Sequence, residues 1–225
     1  SPADLAKRLG LSEKDVKEQF AQGARKLLAA RAKRSLPRDT KLLAAWNALA
    51  LSAYAEAARV LKEDAYRAAA QEVRDYIART LWTGKALHRA VHAGNPIGAA
   101  GLEDYAYVAR AMFDYAMLTG ADEDYALATA IAEAGWARLY DKNGWRLGQS
   151  VIAGEPGQDI VADGPMPSPS AVLAETTLAL AARTGNKRLR ERAQAALNSG
   201  HALLKTDPFW YATHIDAMLV ASAPR

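Results

Sequence analysis

Leu118-Thr119-Gly120-Ala121-Asp122-Glu123-Asp124-Tyr125-Ala126-Leu127-Ala128 decides how this chain reads. Residues up to Leu118 follow helical spacing, and Gly120 can take the left-handed backbone that closes a helix at no steric cost. Asp124 and Tyr125 then open a second helix, the tyrosine anchoring its start. The same signals return at Arg183-Thr184-Gly185-Asn186, followed by Lys187-Arg188-Leu189-Arg190-Glu191-Arg192-Ala193. Without the glycine they occur once more at Lys62-Glu63-Asp64, followed by Ala65-Tyr66-Arg67-Ala68-Ala69. Three units of one kind result, each a pair of amphipathic helices joined by a short turn: 40–82, 102–140 and 170–204. A helix pair cannot bury its apolar face alone, so neighbouring copies must stack.

Longer segments separate the pairs. Gly84 to His92 alternates like a short strand that ends at Gly94-Asn95-Pro96, and Asn143-Gly144-Trp145-Arg146-Leu147 is a second candidate strand after a turn. Gly154 to Pro169, rich in Gly, Pro and Asp, reads as loop. All occupy the same place in the repeat and should gather on one rim. Ahead of the pairs, leading helices fill 1–35: Ser12 with Asp15 three residues on resembles a capping box, and Val16, Phe20, Gly23, Leu27 and Leu28 follow at helical spacing. Leu36-Pro37-Arg38-Asp39 breaks that helix, with Asp39 placed to cap the next. A closing helix spans 207–222, with Asp207 at its cap and Pro208 in its first turn.

Composition agrees with a single all-α domain over 1–225. Half of the residues are hydrophobic, and the abundant alanine has the best helix propensity and lets helices approach closely. Lys and Arg number 29 against 25 acids, a net charge of +4 gathered at Arg25 to Lys41 and Lys187 to Arg192. These basic stretches have no interleaved aromatics, so solvated helix faces explain them and no nucleic-acid partner is expected. The absence of cysteine excludes disulfides, thiolate metal sites and a cysteine nucleophile. No apolar run reaches membrane-spanning length and the first residues resemble no signal peptide, so no membrane partner and a cytoplasmic location are expected. No phosphate loop, dinucleotide fingerprint or Ser-His-Asp order occurs, and no cofactor is expected.

Leu36-Pro37-Arg38-Asp39-Thr40-Lys41-Leu42-Leu43-Ala44-Ala45-Trp46-Asn47 resembles the Asp-Asp-Lys…Trp-Asn-Gly segment of the spermatogenesis-associated (YyaL-like) family of thioredoxin-domain-containing proteins. Gly101-Leu102-Glu103-Asp104-Tyr105-Ala106 is similar to that family's Leu-Asp-Asp-Tyr-Ala helix start, and Asp163-Gly164-Pro165-Met166-Pro167-Ser168 to its Asp-Gly-…-Pro-Ser segment. The chain departs from the pattern at Arg38, Thr40, Ala48, Glu103 and Pro169-Ser170. The resemblance covers nearly the whole chain. It implies part of an (α/α)6 toroid, similar to N-acylglucosamine 2-epimerase and six-hairpin glycosidase folds, from which the thioredoxin-like domain and early hairpins are missing.

In such a toroid the starts of inner helices face the central cavity. Carboxylates there, Asp39, Glu103, Asp104 and Asp163, could serve as general acid and base on a sugar; as helix caps they would need no further role. Tyr105 adds a hydrogen-bonding aromatic. Trp46 offers a stacking platform and Asn47 a hydroxyl partner, or both simply pack. His88 with Arg89 could take part in proton transfer; His88 and His92 lie on one strand face with no carboxylate at ligand spacing, so no metal is expected. Trp145 and Trp210 read as packing residues, His214 as a core histidine and His201 as solvent-facing. Two functions compete. One is a carbohydrate-related, epimerase-like or glycosidase-like domain with a small saccharide as ligand. The other is a non-catalytic helical scaffold that binds the missing thioredoxin-like part or a second copy of itself.

Overall fold

Ser1–Thr40 and Lys41–Arg225 form two units, and the computed structural model describes residues 1–148, 161–200, 204 and 208–222. In the first unit α1 spans Pro2–Leu9 and α2 spans Glu13–Ala32. The expected capping box is present. The Ser12 hydroxyl accepts the Asp15 N–H at 3.1 Å, and the Asp15 carboxylate accepts the Ser12 N–H at 3.3 Å. Gly10 ends α1 in the left-handed region. Of the apolar positions on α2, Val16 is buried while Phe20, Leu27 and Leu28 are exposed.

The second unit holds three helix hairpins: α3 (Ala44–Leu61) with α4 (Asp64–Tyr76), α5 (Leu102–Thr119) with α6 (Asp122–Leu139), and α7 (Pro169–Thr184) with α8 (Lys187–Ser199). A final helix, α9, covers Ala212–Ser222 after a 3-10 turn at Pro208–Tyr211. The hairpin turns share one device. Lys62, Gly120 and Gly185 all end their helices in the left-handed region, with φ of 58°, 72° and 69°. Glycine does this freely; at Lys62 the same turn is made against a steric cost of about 1–2 kcal/mol. The α4 helix extends through a π turn at Ile77–Leu81.

α3, α5, α7 and α9 pack one against the next as an inner row, and α4, α6 and α8 each pack mainly on their own hairpin partner. Small residues make the inner row tight: α3 buries Ala44, Ala45, Ala48, Ala55 and Ala58 around Leu51. Trp136 of α6 is fully buried and donates its indole N–H to the Thr177 hydroxyl of α7 at 2.7 Å. Behind the row, Arg74 of α4 reaches the buried Asp124 of α6, which also accepts the Thr119 hydroxyl at 2.9 Å. Among the described residues no helix is long and apolar enough to cross a membrane.

Short antiparallel strands occupy the links between hairpins. β1 (Leu42–Leu43) pairs with β2 (His88–His92), and β2 with β3 (Asn95–Ala99). β3 was not foreseen: the chain does not leave the sheet at Asn95 but reverses tightly. Ala93 and Gly94 both take positive φ, 48° and 79°, as a two-residue turn between paired His92 and Asn95 requires. β4 (Tyr140–Asp141) and β5 (Gly144–Trp145) form a second hairpin, and the candidate strand read at 143–147 is confined to Gly144–Trp145. Trp145 packs as expected, 4.5 Å between ring centroids from Trp136 and 4.7 Å from Tyr140. Trp210 differs: it is 54% exposed. Asp39 also departs from expectation, because β1 intervenes and α3 starts at Ala44 with Leu43 at its N-cap. The expected cap at Asp207, the loop residues before 161 and His201 lie outside the described residues.

Candidate functional site

The start of α5 is fixed by a buried acid. Asp104, the third residue of α5, is 4% exposed. Its Oδ2 accepts the N–H of Gly101 at 2.9 Å, closing the first turn of α5, and its Oδ1 accepts the N–H of Ala45 at the start of α3 at 3.3 Å. Burial pushes its pKa above the ordinary carboxylate value. The two N–H bonds and the Arg89 guanidinium, 4.0 Å away, act in the opposite direction without overcoming it. Tyr105 is buried too, its phenol oxygen accepting the Leu87 N–H at 3.0 Å. Gly101 is the contact point of this corner: Leu102 N–H reaches Leu147 O at 2.8 Å, leaving no room for a side chain at Gly101.

Beside this corner an open cleft of about 440 Å³ is lined by Glu103, Tyr107, Leu147 and the segment Ala162–Pro167. Glu103 is half-buried, and among the described residues it makes no hydrogen bond or ion pair. Tyr107, one turn further along α5, donates its hydroxyl to Pro167 O at 2.6 Å. Burial first, then the charges of Glu103 and Asp163, push its pKa up, so the phenol stays protonated. Asp163 closes the cleft's far side and joins two helix starts. Its Oδ1 accepts the N–H of Ser168, the N-cap of α7, at 2.7 Å, and its Oδ2 that of Thr213 at 2.9 Å in the first turn of α9. Burial would raise its pKa, but these bonds and the Thr213 hydroxyl prevail and hold it below the usual range.

A second polar group continues along the same helix face. Glu103, Tyr107, Arg110 and Asp114 are spaced four, three and four residues apart, which places them in one lane of α5. Arg110 binds Asp114 through Nε at 2.9 Å and Glu175 of α7 through Nη1 at 2.9 Å. Burial raises the Asp114 pKa, against the Arg110 charge and a hydrogen bond from Ser52 of α3. The lane therefore spans three inner helices. Sequence reading missed Tyr107, Arg110, Asp114 and Glu175, although the spacing on α5 was there to be found.

The remaining candidates do not line this cleft. Arg89 is exposed and projects beside Gly101. His88 is half-buried at the first position of β2. Trp46 is 63% exposed on α3, and Asn47 donates its amide to Leu43 O at 2.8 Å, bracing the first turn of α3. Asp39 is exposed within the unit Ser1–Thr40. His214 is buried as expected, its Nε2 2.8 Å from Leu197 O, while its Nδ1 has no partner among the described residues.

No family model matches the chain. It is 29% identical over 200 residues to human spermatogenesis-associated protein 20, a match covering 81% of this chain and 25% of that protein. The rat counterpart is 28% identical over 197 residues, 80% of this chain and 25% of that protein. The chain thus spans about a quarter of the length of these curated relatives. Among solved structures it is similar to a sugar epimerase from a ruminal bacterium, with a TM-score of 0.60 at 18% identity, over 74% of this chain and 45% of that one. A cellobiose 2-epimerase from Bacillus thermoamylovorans gives a TM-score of 0.56 at 17% identity, over 72% and 45%. One from Spirochaeta thermophila gives 0.56 at 18% identity, over 74% and 43%. The chain is therefore built as part of an (α/α)6 toroid, with its short strand hairpins on one rim, and it resembles spermatogenesis-associated protein 20 in sequence and the sugar 2-epimerases in fold.

Proposed function

We infer that the unit Lys41–Arg225 is a saccharide-binding toroid lobe of epimerase-like type, with its site at the rim cleft of Glu103 and Tyr107. The observation that carries this reading is Glu103: a half-buried carboxylate with no partner among the described residues, in a cleft whose other acid is already committed. An unpaired acid at that depth is available to a ligand's hydroxyl or acidic C–H. Tyr107 supplies a neutral hydroxyl beside it, and the exposed Arg89 guanidinium stands near the same helix start. Asp104 and Tyr105 serve as positioning residues that fix the first turn of α5, and Asp163 shapes the far wall.

Epimerisation beside a sugar carbonyl removes a proton from carbon and returns one to the opposite face. Among the described lining residues Glu103 is the group placed to accept that proton, and solvent water entering the open cleft returns one to the opposite face. Because the fold is shared with cellobiose 2-epimerases, cellobiose and its monosaccharide heads the panel to test. Thermal unfolding of the chain with each sugar is the measurement. A ligand at a hundred times its Kd adds about 2.7 kcal/mol. The expected result is an upward shift with at least one sugar that disappears in Glu103→Gln. Solvent deuterium entering the sugar at carbon 2 would then establish proton transfer. No shift with any saccharide overturns the reading.

A further inference from the structure

Arg110 has more N–H groups than it uses. Nε donates to Asp114 at 2.9 Å and Nη1 to Glu175 at 2.9 Å, and the rest of the guanidinium has no partner among the described residues. Glu175 is in the same state: its Oε1 accepts from Arg110, and no described residue bonds its Oε2. Asp114, which also accepts from Ser52 of α3, holds the guanidinium from the other side. All three side chains are half-buried. An arginine fixed between two carboxylates is oriented before anything binds, so little freedom is lost when something does.

The charges select the ligand. A phosphate or carboxylate would meet two acids beside the one cation, and an ammonium would meet the guanidinium. A hydroxyl both donates and accepts, so it can take an N–H from Arg110 and give its own proton to Glu175. Neighbouring hydroxyls on one sugar ring match the guanidinium fork and the carboxylate together. Position gives the size. Arg110 follows Glu103 by two turns in the same lane, about 10.5 Å along the α5 axis, with Tyr107 between them. One sugar ring held at Glu103 ends short of Arg110, and a second ring joined to it arrives there.

We propose that Arg110 and Glu175 form a second sugar subsite, so that the ligand of the rim cleft is an uncharged saccharide of at least two rings. This rests on the reading of that cleft as a saccharide site and names the class of saccharide it takes. Arg110 and Glu175 bind the outer ring, and Asp114 is a positioning residue. Every residue involved belongs to the unit Lys41–Arg225.

Calorimetric titration tests it, on this chain or on a longer protein that contains it. Cellobiose, maltose and lactose all end in a reducing glucose, so glucose itself is the comparison. At least one of the three binds at least about tenfold tighter than glucose. In Arg110→Met the Kd for that disaccharide rises at least about tenfold, while the Kd for glucose stays within about twofold. Glu175→Gln keeps the side-chain shape and weakens the disaccharide in the same selective way; it decides the matter if circular dichroism shows that Arg110→Met does not fold. Replacing the outer ring by the corresponding uronic acid weakens binding. A second ring that adds nothing to monosaccharide binding, equal weakening of glucose and disaccharide in the variants, or tighter binding of the uronic acid overturns the proposal and leaves the rim cleft as a saccharide site. No binding of any sugar overturns both.

Discussion

The buried Asp104 carboxylate accepts the backbone N–H of Ala45, fifty-nine residues earlier in the chain, across 3.3 Å. One buried side chain thereby sets the first turns of two neighbouring inner helices. Replacing it with Asn removes one acceptor and orphans a buried N–H, so Asp104→Asn should cost about 1–3 kcal/mol in urea unfolding. The dependence on pH has a definite sign. The folded-state pKa is raised, so ionised Asp104 weighs against folding, and wild type gains on the Asn variant as pH falls from neutral through that pKa.

Asp163 should behave in the opposite way. Its folded-state pKa lies below the ordinary carboxylate value, so its stabilising bonds to the starts of α7 and α9 are complete above that ordinary value. They are lost as pH falls through the folded pKa. The stability difference between wild type and Asp163→Asn is therefore largest near neutral pH and shrinks in acid. Thermal unfolding of both proteins from pH 7 downward measures it; a gap that widens in acid contradicts the assignment.

Gly101 has φ of −93°, ordinary for any residue, so its requirement is space rather than backbone freedom. A methyl group there would lie 2.6 Å from Leu147 O, a backbone atom fixed by its bond to Leu102. Gly101→Ala should cost about 1–3 kcal/mol by overpacking. Under the proposed function it should also weaken saccharide binding, since Leu147 lines the cleft.

Arg74 carries the charge that balances Asp124, which is 6% exposed between α4 and α6. Arg74→Met leaves that carboxylate buried with only the Thr119 hydroxyl, and a loss of about 3 kcal/mol is expected. Arg74→Met combined with Asp124→Leu should recover part of that loss. No recovery in urea unfolding would show that the pair contributes more than mutual neutralisation.

Helix pairs were legible because their evidence is local: an apolar repeat, a left-handed glycine and an acid or asparagine before the next helix all lie within a few residues. Lys62 shows that the geometry outlasts the glycine that usually signals it. β3 was hidden because Pro96 and Gly98 interrupt its alternation, and only the pairing with β2 makes it a strand. At the site, Glu103 and Asp163 were visible as acids near helix starts, and both line the cleft. Which acid has no partner among the described residues was not readable, because the partners of Asp104 and Asp163 come from positions up to fifty-nine residues away. Arg110 and Asp114 resemble a solvated helix face until Glu175 arrives from α7.

The buried alanines of α3 bear on more than tightness. Ala44, Ala48, Ala55 and Ala58 set how near α3 lies to the helices packed on it, and that spacing fixes the angle by which one hairpin is rotated from the next. A ring closes only if those rotations sum to a full circle. A larger side chain at any of these positions would act as a wedge, and its effect would accumulate away from the site of change. The curvature of the lobe, and with it the width of any cavity it encloses, is therefore encoded in residues that touch no ligand.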